Sequence, residues 1–471
     1  MLFNSFEFLV FFPIVCIIYF ILRKNKYRNP FLLIASYYFY MCWKPIYAIL
    51  ILTSTITTYI CGLLIESFAD DKRKQKTFLV LSLIINFGIL FVFKYYNFIN
   101  TSIFNLLSCV GLHWSVPGLD ILLPVGISFY TFQAVGYSID VFRGSIKAEK
   151  NFITYALFIS FFPPLVAGPI ERAKNLIPQF KIEHSFNSND VFEGIKQMIW
   201  GFFMKLCVAD VLSGYVNAVY NNVANHNGSS LLVATIFFTF QIYCDFAGYS
   251  NIALGSARVM GYKITQNFRQ PYFSTSIKEF WKRWHVSLST WFMDYVYIPL
   301  GGNRVKYLRH LLNLMITFLI SGLWHGANWT FILWGALHGT FLIIENVTKR
   351  LVNAPQNNTL VSKTMSTIVC FTLVSFAWIY FRANTVDDAF TIVSKIFTDR
   401  GTLFIDLPTL VYGLPALLIL TVKDLKDNFE LKLNFMHSKY PFIRYVSVIL
   451  LISYILLFGS LSSAAFIYFQ F

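Results

Sequence analysis

Apolar runs long enough to cross a bilayer alternate with short clusters of Lys and Arg along the whole chain. The runs are Phe6–Leu22, two pieces within residues 30–66 split near Lys44-Pro45, Thr77–Ile99 with Lys94 inside it, Ile121–Phe142, Ile195–Tyr220 and Leu231–Met260. Leu311–Glu345, Met365–Phe381, Leu403–Leu420 and Tyr445–Phe471 complete the series. A hydrocarbon core of ~30 Å takes about 20 helical residues, so the chain has room for roughly ten to twelve spans. At that depth no water satisfies the backbone, and a helix satisfies its own. The pattern predicts an all-α polytopic membrane protein. Its basic clusters, among them Arg23–Arg28, Lys72–Lys76, Arg258–Arg269 and Lys349-Arg350, mark cytoplasmic loops. Phe6–Leu22 is followed by its basic cluster and carries no small-residue cleavage site, so it is expected as a retained span with an outside N-terminus.

Several stretches depart from plain spans. Residues 101–120, with Gly111, His113, Pro117 and Gly118, read as an outer loop or an amphipathic piece. LPVGISFYTFQAVGY mixes Gly and aromatic residues with Ser128, Thr131 and Gln133, which suits a helix lining a cavity. In residues 152–180, Pro163-Pro164, Gly168-Pro169 and Pro178 break any continuous helix. The simplest reading is a re-entrant segment, with Glu171 and Arg172 at its mouth as an interfacial ion pair. FRANTVDDAF (381–390) reads as a polar turn, and Lys423–Arg444 as a charged loop.

Composition agrees. Of 471 residues, 56% are hydrophobic and 13% charged, against about 25% charged in soluble chains. The net charge of +15 raises nucleic acid as a partner, but the cations sit between apolar runs where topology requires them, so no nucleic acid is expected. Seven cysteines without a CxxC read as small membrane hydrophobes, neither disulfides nor metal ligands. No P-loop, GxGxxG, GxSxG or catalytically spaced carboxylate pair is present. Residues 1–471 are expected to form a single integral membrane domain.

The chemistry concentrates in a block at about 278–345. It holds His285, His310, His325 and His338 of the chain's eight histidines. An ionisable group at membrane depth is costly and reads as functional by default. His325 lies in an apolar run with the small residues Ser321, Gly322, Gly326 and Ala327 around it. The opposing reading is a histidine satisfied by a backbone carbonyl. At helical spacing His325 and Trp329 share a face, while His338, thirteen positions on, is rotated away and suits a helix–helix hydrogen bond. Gly322/Gly326 and Gly335/Gly339 mark close helix packing. Upstream, Lys278, Lys282, His285 and Ser289 form one stripe and Trp281, Trp284, Leu288, Trp291 and Tyr295 another. That pattern is either an interfacial helix or a cationic mouth for an anionic substrate, continued by Arg304, Lys306 and Arg309. Asp245, inside FQIYCDFAGYSNIALG, either lines a polar cavity or pairs with Lys or Arg from another helix.

The strings NFRQPYFSTSIKEFWKRWHVSLSTWFMDYVYIPLGGNR and SGLWHGANWTFILWGALHG resemble the membrane-bound O-acyltransferase superfamily, in particular its bacterial alginate O-acetyltransferase branch. The opening MLFNSFEFLVFFPIV, then LPVGISFYTFQAVGYSIDVFRG, FFPPLVAGPIERA, YCDFAGYSNIALG, FRANTVDDAF and the closing FIYFQF extend the resemblance over most of the chain. It implies a ring of spans with re-entrant segments around a central tunnel from a cytoplasmic donor to an outside acceptor. It implies that His325, in the WHG string, is catalytic and that His285, in RWH, takes part. Donor phosphates would suit Lys282, Arg283, Arg304 and Lys306, and Asn328, Trp329 and His285 are candidates to stabilise an oxyanion. The donor implied is acetyl-CoA or another acyl thioester, with no bound cofactor or metal. A separate extracytoplasmic SGNH-type partner would complete transfer to a polysaccharide outside the bacterial cytoplasmic membrane. Two other functions stay open on sequence: D-alanyl transfer from a carrier protein toward teichoic acid, and a proton-coupled transporter or flippase. The latter would require inverted repeats, which the chain lacks.

Overall fold

A computed structural model of the protein describes every residue except 113, 115, 167, 352–358, 433, 461–465 and 468–471. His113 and the last four residues of FIYFQF therefore lie outside the described residues. Every regular element described is helical. The chain divides into two compact units, Met1–Ile195 with Ala253–Thr265, and Lys196–Ile252 with Gln266–Phe471.

The first unit opens with α1 (Phe6–Ile21), α2 (Asn25–Met41) and α3 (Ala48–Ser67). Asp71 then caps α4 (Lys72–Leu90), its carboxylate accepting the Arg73 and Lys74 N–H groups. A π-helical turn, Phe91–Tyr95, joins α4 to α5 (Tyr96–Cys109). Lys94 therefore does not end a span: the turn absorbs it, and the helix continues through residues expected as a loop. Next, α6 (Ile127–Phe142) starts at Gly126, where φ is +74° and a Cβ would lie 2.9 Å from the Leu165 carbonyl oxygen. It is buried without interruption from Ile127 to Ser138. The Ser138 and Ser82 hydroxyls lie 2.9 Å apart.

The prolines break the following segment as expected, into α7 (Phe152–Ser160), α8 (Phe162–Leu165) and α9 (Ala173–Phe180). Glu171 does not stand at an exposed mouth. It is buried, accepts the Thr265 N–H at 2.5 Å, and burial pushes its carboxyl up to about 7.

Two long helical runs follow. In one, α10 (Ser188–Phe202) passes through a π turn, Phe203–Ala209, into α11 (Asp210–Tyr220); the other is α12 (Gly228–Val259). The second unit continues with α13 (Ile277–Arg283), α14 (Val286–Phe292), α15 (Tyr307–His325), α16 (Trp329–Leu351), α17 (Leu360–Arg382), α18 (Val386–Thr398), α19 (Leu414–Asn428) and α20 (Pro441–Phe458). Within FRANTVDDAF only Ala383–Thr385 forms a turn, because Thr385 caps α18 through the Asp388 N–H. The expected loop from Lys423 is likewise helical as far as Asn428. Among the described residues, seven helical runs are long and apolar enough to cross a membrane, and α1 is a shorter apolar helix. The protein is a multi-pass membrane protein.

The glycines of the central block set how closely α15 and α16 approach. A Cβ on Gly322 would lie 2.3 Å from the Phe331 carbonyl oxygen, and one on Gly335 2.3 Å from that of Phe318. Backbone cannot swing aside as a side chain can, so Gly335→Ala should force the pair apart, at a cost in the ~1–3 kcal/mol range of overpacking. Gly339→Ala meets the thioether of Met315 at 2.9 Å and should cost less, since methionine adapts. Thermal unfolding in detergent checks this order; equal midpoints for the two variants would contradict it.

Candidate active site

The expected continuous stripe over Lys278–Tyr295 does not exist, because the helix breaks at His285. Ser276 caps α13 by accepting the Glu279 N–H, and the Glu279 carboxylate reaches back to the Thr275 N–H. After Arg283 the chain turns, and His285 takes the left-handed conformation, φ 43° and ψ 54°. A non-glycine residue there costs of order 1–3 kcal/mol and persists only where its surroundings enforce it. Asn267 supplies that enforcement. Its carbonyl takes the Val286 N–H at 3.0 Å and its side-chain oxygen the Ser287 N–H at 3.1 Å, so it satisfies the first donors of α14. The kink carries His285 inward until it is 0% exposed, against Phe246 at 4.5 Å between ring centroids. Trp284, Leu288 and Trp291 are also buried, so these side chains face protein rather than lipid.

His325 is the last residue of α15 and is buried. Gly326 follows because a Cβ there would lie 2.1 Å from the Phe331 ring. Three rings enclose the imidazole: Trp334 at 4.9 Å, Trp324 at 5.0 Å and Phe381 at 5.3 Å. Trp324 also packs on His285, 6.2 Å away, so one indole touches both candidate histidines. On the far side Trp334 packs on His338 at 4.9 Å. His338 thus stands beside the same cluster, contrary to the helical-wheel expectation, because α15 ends at His325 and α16 runs back along it. The helix–helix hydrogen bond expected of His338 is present: Trp281 Nε1–H donates to its Nδ1 at 3.3 Å. Trp378 closes the group, stacked on Trp334 and packed on Trp284.

The other candidates scatter. Trp329 opens the next helix and is 54% exposed, so it does not share a face with His325. Asn328 donates to the Asn384 carbonyl at 3.3 Å. Among the cations, Lys282, Arg304 and Lys306 are exposed. Arg283 is engaged with Glu279 at 2.5 Å and with Asn428 at 2.7 Å.

Asp245 belongs to an ion cluster. Lys205 Nζ lies 2.5 Å from Asp245 and 2.8 Å from Asp210, and all three side chains are at most 4% exposed. The Ile467 N–H also donates to Asp245, at 2.7 Å. Of the two readings of Asp245 the paired one holds. Its partner was visible in FFMKLCVAD, where Lys205 is as conspicuous in an apolar run as Asp245 is. Asn267 gave less warning, since an asparagine in a polar loop carries no periodic signal.

A buried imidazole within an aromatic enclosure can move a proton to or from a reacting group while bulk water is kept out. The model of MBOAT, the membrane-bound O-acyltransferase family, matches residues 143–383, which include both His285 and His325. A probable alginate O-acetylase, AlgI, of Pseudomonas aeruginosa is 40% identical over 400 residues, covering 84% of this chain and 75% of that protein. A peptidoglycan O-acetyltransferase of Helicobacter pylori is 32% identical over 427 residues, 83% of this chain and 79% of its own. A teichoic acid D-alanyltransferase of Streptococcus thermophilus is 32% identical over 235 residues, 47% and 56% of the two chains. An acyltransferase thus replaces the transporter reading, and the matched region with the similarity over most of its length places this chain in the membrane-bound O-acyltransferase family.

Proposed function

We propose that this enzyme passes an acetyl group from a cytoplasmic thioester, acetyl-CoA or an equivalent, across the bacterial cytoplasmic membrane for O-acetylation of an extracytoplasmic polysaccharide. The observation that carries the reading is the pair His325 and His285 held on one buried indole, Trp324. The relatives that cover most of the chain carry acetyl transfer in their names, onto alginate or peptidoglycan.

In this mechanism the neutral imidazole of His325 accepts the proton of an incoming hydroxyl. The hydroxyl oxygen attacks the thioester carbonyl, and the C–O bond forms as the carbonyl pair moves onto oxygen. Collapse breaks the C–S bond, and the His325 proton goes to the departing thiolate. His285 donates to the transient oxyanion, a contribution of about 3–4 kcal/mol where such a donor is well placed. It is preferred to Asn328 and Trp329, which stand outside the aromatic cluster. Lys282, Arg304 and Lys306, exposed on the cationic segment, serve the donor's phosphates. Arg283 instead fixes α13 through Glu279 and Asn428. An SGNH-type partner outside the membrane completes delivery to the polymer.

Membranes carrying the protein and its candidate partner would be given radiolabelled acetyl-CoA or, separately, a D-alanyl carrier thioester. The reading expects label in extracellular polysaccharide from acetyl-CoA alone. Transfer only from the D-alanyl carrier would keep the enzyme class and overturn the donor.

A further inference from the structure

The outer end of the second unit carries cations that the reaction above does not use. By the distribution of Lys and Arg, α15 and α17 start at basic loops and run outward to His325 and Arg382. Arg382 directly follows Phe381, whose ring is 5.3 Å from His325. Its guanidinium lies over the Tyr220 ring at 5.5 Å. Nη2 donates to Asn217 at 2.8 Å and Asn221 at 3.2 Å, and Nη1 to Asn384 at 3.3 Å. Asn384 is tied to Asn221 at 3.4 Å, and Asn328 to the Asn384 carbonyl.

All of these side-chain partners are neutral amides. No carboxylate lies within ion-pair distance of Arg382 among the described residues, although Asp387 and Asp388 stand a few residues on, in the first turn of α18. A guanidinium has five N–H donors in a fixed fork, and the amide oxygens take three, so among the described residues Nε–H and one Nη1–H have no acceptor. Close by, Lys395 gives its ammonium to the carbonyls of Val223, Ala224 and His226, at 2.9–3.0 Å, with no carboxylate partner among the described residues. Two cations without carboxylate partners run against the usual depletion of Lys and Arg outside. The exposed indole of Trp329, next to Asn328, adds an apolar face of the kind on which a sugar ring stacks.

We propose that Arg382, in its asparagine collar, is an anion-recognising site for the acceptor, and that its ligand is a carboxylate-bearing sugar chain. Resting on the polysaccharide reading above, this has the polymer meet the outer rim of this chain itself and not only a partner protein. The collar fixes the guanidinium beside Tyr220, and since Nε–H and the free Nη1–H lie on different edges, each can meet a carboxylate oxygen through a single charge-assisted hydrogen bond. The asparagines and Trp329 take hydroxyls and ring faces.

The test uses the full-length protein in detergent, with a short oligouronate and a neutral oligosaccharide of equal length as probes. Wild type should bind the oligouronate roughly tenfold to a hundredfold more tightly, and Arg382→Gln should erase that preference. Equal preference in wild type and variant would overturn the site. Because Arg382→Gln loosens contacts to α11, wild type is also titrated at rising salt. The preference should shrink as the attraction is screened, and a salt-independent preference would overturn the proposal. In nanodiscs, competition by phosphatidylglycerol but not by the oligouronate would assign Arg382 to a lipid phosphate and also overturn it. Wild type that selects oligouronate yet moves no acetyl would sink the transfer reading and leave the site standing.

Discussion

Replacing His325 by alanine should lower acetyl transfer by roughly 10²–10⁴-fold, the contribution of a positioned general base. The size of the loss separates a chemical role from a packing role. His325 is enclosed by Trp324, Trp334 and Phe381, so its removal also leaves a gap in an aromatic cluster. His325→Phe would fill that gap and His325→Gln would return a polar side chain, but neither restores a base. If the imidazole moves the proton, all three variants fall together while their unfolding midpoints differ. If it merely packs, Phe recovers transfer. His285→Ala should also lose activity, by the ~10²–10³-fold of one lost oxyanion donor. It should also lower stability, since alanine keeps the left-handed strain at position 285 and leaves a gap where the ring packs on Phe246. Transfer per folded molecule, with donor in excess, is the measurement. Full activity in His325→Gln would end the general-base assignment.

Much of this was legible in the sequence, and the failures share a cause. Span pattern and hydropathy located the long helices, because apolar length alone determines them. His325, His338 and Asp245 stood out because ionisable residues in apolar runs are rare. What misled was extrapolation of the helical period across breaks. At helical period Trp329 and His325 share a face, yet Gly326–Asn328 separates two antiparallel helices there. The stripe through His285 assumed a continuous helix, whereas Asn267, distant from the stripe in sequence, captures the N–H groups that start a new one. Hydrogen bonds between loops leave no periodic trace. The π turn at Phe203–Ala209, which carries Lys205, was equally invisible, since one added residue changes neither composition nor run length.

Lys205→Met should be among the most damaging single changes away from the histidines, destabilising by about 3–5 kcal/mol, the cost of breaking a buried ion pair from one side. The ammonium is the only cation within ion-pair distance of Asp210 and Asp245 among the described residues. Both carboxylates are buried, and Asp210 Oδ2 has no hydrogen-bond partner among the described residues. Methionine keeps the length and the apolar stem, so the loss reports charge rather than volume. The effect should also travel. Asp245 holds the Ile467 N–H, and Phe466 packs on Phe246 at 5.7 Å, the ring that backs His285. A slackened Asp245 therefore loosens the wall behind the second histidine, and transfer should fall even in molecules that stay folded. The triple change Lys205→Met, Asp210→Leu, Asp245→Leu separates the two effects. With no orphaned charge, stability should return toward wild type, while the Ile467 anchor stays lost and activity stays low. Unfolding in detergent and transfer per folded molecule are measured side by side. Lys205→Met with a wild-type midpoint would show that the cluster contributes nothing to stability, and full activity in the triple variant would detach it from His285.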